Sequence, residues 1–143
     1  MDMELVQELA EYAREWAEAY DASRNISSGD LCGMCAIASA FLFRELKRAG
    51  VKAELAYSDF HFFVLVNGQW IIDITATQFD LPGIENFKPI EIRRLNEIKK
   101  DYWFWQPTHT LTSLNQMYIY QQYLRWSKEQ RASNFKINAA VLN

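Results

Sequence analysis

The chain has 143 residues, of which 50% are apolar and 15% aromatic, and its formal net charge is −3. This size fits one domain whose core needs neither disulfides nor metals, so we expect a single domain over residues 1–143. The sequence contains no basic block, which argues against a nucleic-acid partner. Its apolar runs are shorter than the roughly 20 residues of a membrane-spanning helix, and no signal-peptide core is present at the N-terminus. We therefore expect no membrane partner and a cytoplasmic location.

Two amphipathic helices are predicted in the first third of the chain. Apolar residues recur at helical spacing between residues 5 and 20, and a polar loop over 23–30 follows them. A second helix is predicted over about 34–49, with Gly50 as its C-terminal stop. The inward positions of the first helix are predicted to be Leu5, Leu9, Ala13, Trp16 and Tyr20.

The middle of the chain predicts an antiparallel sheet. Residues 51–57, 60–66 and 69–75 are rich in β-branched and aromatic residues, and Asn67-Gly68 is a strong hairpin signal.

Weaker signals follow the hairpin. Pro82 and Gly83 indicate a loop over 78–88, and 90–95 is weakly strand-like. A last helix is predicted over about 113–131. Together these elements predict an α+β fold, in which N-terminal helices precede an antiparallel sheet and a C-terminal helix ends the chain.

Aromatic residues crowd the last third of the chain. Trp103, Phe104 and Trp105 either wall a substrate groove or cover one side of the sheet. The rings of the last helix either bind a partner or complete the core; they are Tyr118, Tyr120, Tyr123 and Trp126.

Cys35 is the candidate nucleophile, because it lies at the start of the second predicted helix. The unpaired N–H groups and positive dipole end of a helix N-terminus favour thiolate over thiol. The same N–H groups can stabilise an oxyanion. A thiolate enzyme also needs a histidine to transfer protons and a carboxylate to orient that histidine. His61 and Asp73 are the candidates for these roles, whereas we place His109 in a surface loop.

The turn at Asn67-Gly68 decides whether this triad can form. A two-residue turn would place His61 opposite Ile74, so that Asp73 faced the other way. A three-residue loop, 66–68, with left-handed Gly68 would place His61 directly opposite Asp73. The sequence permits both turns, and we predict the second because it brings two polar residues together in an apolar strand pair.

Four short stretches resemble the transglutaminase-like, papain-related core. They are 33–38 (G-M-C-A-I-A), 46–53 (L-K-R-A-G-V-K-A), 61–66 (H-F-F-V-L-V) and 70–75 (W-I-I-D-I-T). Their order is similar to the family's G-x-C helix start, R-x-x-G-I-x-A segment, H-x-W-x-x-V strand and W-x-x-x-D-x-T strand.

This resemblance implies that Cys35 is the nucleophile, His61 the base and Asp73 the residue that orients the base. Gln78 and Cys32 are candidates for cleft or oxyanion support. Phe63 and Ile74 replace the family's usual tryptophan and proline, which leaves the substrate class open.

The expected function is attack of a cysteine on an amide or acyl carbonyl through a thioester intermediate. A protease or glutamine deamidase acting on a protein or peptide is favoured. A cross-linking transglutaminase or other acyltransferase is the alternative, and a non-catalytic protein-binding module is an alternative of another class. Cys32-x-x-Cys35 also matches a redox motif, but the turn-like residues 27–30 before it are atypical of that fold. We expect no cofactor and no metal, and the oligomeric state stays open.

Overall fold

In the part of the chain that the structure describes, two long helices come first and five strands follow them. The computed structural model describes residues 2–23, 31, 34–79, 85–118 and 121. Helix α1 spans Met3–Ala22 and helix α2 spans Cys35–Arg48. The strands β1 to β5 are Ala53–Ser58, His61–Val66, Trp70–Asp73, Glu91–Arg94 and His109–Leu111.

The strands form one antiparallel sheet in the order β4-β3-β2-β1-β5. This confirms the predicted α+β arrangement of helices followed by an antiparallel sheet. Strand β5 was not predicted. His109 is exposed, as expected of a surface residue, but placing it in a loop was wrong, because it pairs with Tyr57 at the edge of the sheet. Three residues are too few for a sequence period to show.

Helix α1 begins at a side-chain cap and packs against α2. The Asp2 carboxylate accepts the N–H of Leu5 at 3.0 Å, which satisfies one of the free donors of the first turn. Tyr20, predicted to face inward, is exposed. The buried apolar stripe instead consists of Val6, Ala10, Ala13 and Ala17. None of the described helices is long and apolar enough to cross a membrane.

Helix α2 packs against β1 and β2, and it begins at Cys35 as predicted. The Ser39 hydroxyl donates to the Phe62 carbonyl at 3.0 Å. Beyond the helix, Gly50 adopts a φ of +80°, the left-handed conformation that glycine provides after a helix end. The first residue of α2 therefore lies beside the start of β2.

The hairpin between β2 and β3 places His61 and Asp73 on the same face of the sheet, as predicted, but its strands pair in a different register. Asn67 and Gly68 have φ of +55° and +65°, and the Gln69 N–H donates to the Val66 carbonyl at 3.1 Å. These are features of a two-residue turn. However, Val66 pairs with Trp70 in the ladder, so Gln69 is an extra residue on the β3 side.

The prediction that 66–68 form the loop and that His61 lies directly opposite Asp73 was therefore wrong. The observed register would place Phe63 opposite Asp73, so that His61 is its diagonal neighbour on the same face. One extra residue still brings the two side chains to the same face of the sheet, as predicted. This residue, Gln69, lies after the turn rather than within it. A diagonal neighbour is within reach of a ring as long as imidazole. The positive φ predicted for Gly68 is confirmed.

The chain divides into two units, residues 1–112 and 113–143. In the second unit, residues 114–118 are helical, and the Ser113 hydroxyl accepts the Gln116 N–H at 3.1 Å. Tyr118 is exposed. Most of the predicted last helix, including Tyr120, Tyr123 and Trp126, lies outside the described residues. The single-domain assignment stays a prediction.

We predict that Gly68→Ala lowers the free energy of unfolding by about 1–2 kcal/mol, because Cβ disfavours the left-handed conformation. Open space surrounds the position, so the loss would come from backbone strain rather than a clash. Urea unfolding of Gly68→Ala and of the exposed control Gln69→Ala measures it. Equal losses in the two variants would contradict the assigned turn.

Candidate active site

Asp73, the last residue of β3, is fully buried and accepts hydrogen bonds on both carboxylate oxygens. Oδ2 lies 2.6 Å from His61 Nε2 and accepts the indole N–H of Trp105 at 2.8 Å. Oδ1 accepts the Thr75 N–H at 2.8 Å and the Thr75 hydroxyl at 3.3 Å. Burial by itself raises the pKa of this carboxyl, but the charge of His61 and these donors lower it below its ordinary value of 3.8. Asp73 is therefore a buried carboxylate with its acceptor sites occupied.

His61, the first residue of β2, is almost completely buried. Burial by itself lowers its pKa, but the Asp73 carboxylate and then Cys35 raise the pKa from 6.5 to about 9. A carboxylate can only accept, so Nε2 carries a proton. Nδ1 is left as the ring atom that can exchange a proton with a nucleophile.

The His61 ring is held in place by aromatic rings as well as by Asp73. Phe79 lies edge-on at 4.7 Å between centroids, and Phe63 stacks at 5.9 Å. Phe104 contacts the same ring edge-on at 6.4 Å. These contacts limit rotation of the imidazole and exclude water from its Asp73 side.

Cys35 is a half-buried free thiol at the first residue of α2. Its Sγ lies 3.9 Å from the Phe60 carbonyl oxygen, to which the thiol donates. It also lies near enough to His61 that a side-chain hydrogen bond and charge contribute to the raised histidine pKa. The structure therefore brings together the three residues that the sequence nominated for catalysis.

Gln78 reaches this site, as the sequence suggested. Its side-chain nitrogen lies 3.4 Å from His61 Nδ1 and donates to the Thr75 hydroxyl at 3.2 Å. Gln78 thus contacts the imidazole nitrogen that does not bind Asp73. Cys32, the other candidate for support, lies outside the described residues.

Trp105 and Arg14 hold the site but were not nominated from the sequence. Trp105 belongs to the 103–105 cluster, for which groove wall and sheet cover were both open. Phe104 and Trp105 are buried in the core, whereas Trp103 is exposed. Two of the three rings therefore cover the sheet. No sequence signal identified Trp105 as a donor to Asp73, since that contact joins residues 32 positions apart.

Arg14 anchors the segment that follows Asp73. Its guanidinium is mostly buried and donates to the Ile74 carbonyl at 2.8 Å and to the Thr77 hydroxyl at 3.0 Å. It also pairs with Glu18 at 2.7 Å. The turn that carries Thr75 and Gln78 is therefore tied to α1.

Two cavities of the described structure lie along β4. One of about 250 Å³ is lined by residues 68–70 and 94–96. The other, of about 450 Å³, is lined chiefly by 85–93 with Gln7. Cys35 lines neither of these two cavities. In the described part of the chain, no group of three His, Cys, Asp or Glu side chains is placed to hold a metal ion.

Comparison of the chain with protein-family models, curated proteins and solved structures finds no match.

We predict that Trp105→Phe lowers stability by about 1.5–3 kcal/mol, the usual range for a hydrogen bond to a charged group. The stabilisation from Asp73 is complete above pH 3.8 and is lost as the pH falls through its lowered folded value. Loss of the indole donor raises that value, so acid unfolding should begin at a higher pH. Urea and acid titrations measure both effects.

Trp103→Phe is the matched control, because the Trp103 ring is exposed. If the acid transition of Trp105→Phe coincided with that of the control, the indole would not stabilise the carboxylate.

Proposed function

We propose that the protein is a cysteine-nucleophile enzyme of the transglutaminase-like type that attacks an amide or acyl carbonyl. The observation that carries this proposal is the position of His61 between a fully buried Asp73 carboxylate and the Cys35 thiol. The order Cys, His and Asp along a helix and two antiparallel strands supports the family assignment. A buried Asp–His pair beside a thiol at a helix start has the parts that nucleophilic catalysis needs.

In the first half-reaction, the Cys35 proton already lies on His61 Nδ1, and the thiolate sulfur bonds to the substrate carbonyl carbon. The carbonyl π electrons move onto oxygen. Backbone N–H groups of the first turn of α2, which lack intrahelical partners, can stabilise that oxyanion. When the tetrahedral intermediate collapses, the C–N bond breaks and the leaving amine takes the proton from His61. A thioester remains on Cys35.

In the second half-reaction, His61 accepts a proton from the group that attacks the thioester. Water as the acceptor releases a carboxylic acid, and the result is proteolysis or deamidation. An amine as the acceptor gives a new amide, and the result is acyl transfer or cross-linking. In both cases, Cys35 leaves as a thiolate and His61 keeps the proton that it accepted, so the starting pair of thiolate and imidazolium is regenerated.

Asp73 acts on His61 rather than on the substrate. Its carboxylate holds the ring with Nδ1 towards Cys35 and stabilises the imidazolium that pairs with the Cys35 thiolate. Gln78 contacts the same Nδ1 at 3.4 Å and would orient the ring between the two half-reactions. Both are positioning residues.

We predict that Cys35→Ala abolishes turnover, whereas Cys32→Ser retains most of it. Candidate proteins and peptides are incubated with each variant, and intact-mass spectrometry distinguishes cleavage, deamidation and cross-linking. Circular dichroism checks that both variants are folded.

The proposal requires that every product depend on Cys35. Equal product formation by wild type and Cys35→Ala would contradict it, and loss of activity in Cys32→Ser alone would move the nucleophile to Cys32.

A further inference from the structure

The turn between β1 and β2 contains an unusual residue next to the proposed nucleophile. Ser58 pairs with His61, so Asp59 and Phe60 form a two-residue loop. Their φ values are +44° and +73°, as a type I′ turn requires. Asp tolerates that conformation, but a bulky residue such as Phe is a genuine outlier there.

The turn between β2 and β3 provides an internal comparison. At the β2–β3 turn, the two residues with positive φ are Asn67 and Gly68, the pair that this geometry favours. The same fold therefore uses a relaxed turn at one end of β2 and a strained one at the other. Strain of this kind clusters at functional sites, so the strain at Phe60 suggests a role for its side chain or its carbonyl.

Phe60 also exposes its ring at this position. The residue is 64% exposed, although its ring lies 6.3 Å from that of Tyr57. Its carbonyl oxygen is the atom 3.9 Å from Cys35 Sγ. The residue that carries this exposed ring therefore contacts the proposed nucleophile through its backbone and directly precedes His61 in the sequence.

A second exposed ring, that of Trp103, packs near the same turn and near His61. Trp103 is 44% exposed, and its carbonyl accepts a hydrogen bond from the Ser58 hydroxyl, directly before the strained turn. Its ring contacts Phe79 at 5.4 Å, and Phe79 contacts His61 at 4.7 Å. Two exposed aromatic side chains are thus held by residues that adjoin His61.

We propose that Phe60 and Trp103 form an apolar subsite for the side chain adjacent to the carbonyl that Cys35 attacks. The substrate class is then a peptide with a large apolar, preferably aromatic, residue at that position. This inference rests on the proposed function. A substrate ring would cover the exposed Phe60 and Trp103 surfaces, and aromatic pairs gain more than buried area alone.

The test uses two peptidyl chloromethyl ketones that differ only in the residue next to the ketone, phenylalanine or serine. The Cys35 thiolate displaces chloride and forms a thioether, which tandem mass spectrometry assigns to Cys35 rather than Cys32. Each rate is divided by the iodoacetamide rate of the same variant, because iodoacetamide carries no side chain. For wild type, we expect a phenylalanine-to-serine ratio of at least about tenfold.

Phe60→Asn should lower this ratio at least about fivefold while the melting temperature stays equal or rises, because Asn tolerates left-handed backbone. Phe60→Tyr keeps the ring and should keep the ratio. Tyr12→Ala removes another exposed ring, one that contacts Phe41, and is the matched control.

A wild-type ratio near one, or an unchanged ratio in Phe60→Asn, would overturn the subsite while leaving the nucleophile intact. Iodoacetamide labelling of wild-type Cys35 no faster than that of the urea-unfolded chain at pH 6 would overturn the proposed function and the subsite together.

Discussion

A carboxylate without solvent contact, Asp73, is the group on which the arrangement of the site depends. Removing a carboxylate from water is costly unless charge and hydrogen bonds compensate it. Here His61, Trp105 and both donors of Thr75 compensate it. Each of these partners must therefore occupy a fixed place. As a result, one buried charge links β2, β3, the turn after β3 and the aromatic cluster at 103–105.

The backbone around Asp73 is shaped to permit those contacts. Gln69, the extra residue after the Asn67-Gly68 turn, places His61 and Asp73 on one face of the sheet. The Arg14 guanidinium binds the Ile74 carbonyl and the Thr77 hydroxyl, so α1 supports the turn that supplies the Thr75 donors. At the other end of β2, the strained turn places the Phe60 carbonyl against Cys35. The sheet register, the packing of α1 and the strained turn thus all position groups that surround the His61 imidazole.

Among the described residues, local patterns in the sequence were sufficient to predict α1, α2 and strands β1 to β4, and to single out Cys35, His61 and Asp73, which lie together in the structure. Those residues stand out because polar groups amid apolar strands need partners. The exact register was not predictable, because an Asn-Gly turn with one extra residue has the same parity as a three-residue loop. Trp105, Arg14 and strand β5 were missed for a different reason. Their contacts with the site or the sheet join residues about 30 to 60 positions apart, and such pairings leave no local pattern.

Asp73 and Cys35 together raise the pKa of His61 to about 9, so that its imidazole is charged near neutral pH. The chain has two histidines, so ¹⁵N-histidine NMR of a His109→Gln variant observes His61 alone. We predict that its imidazole titrates near pH 9 rather than 6.5, with separate decreases in pKa in Cys35→Ser and in Asp73→Asn. Titration near pH 6.5, unchanged by either substitution, would contradict the account.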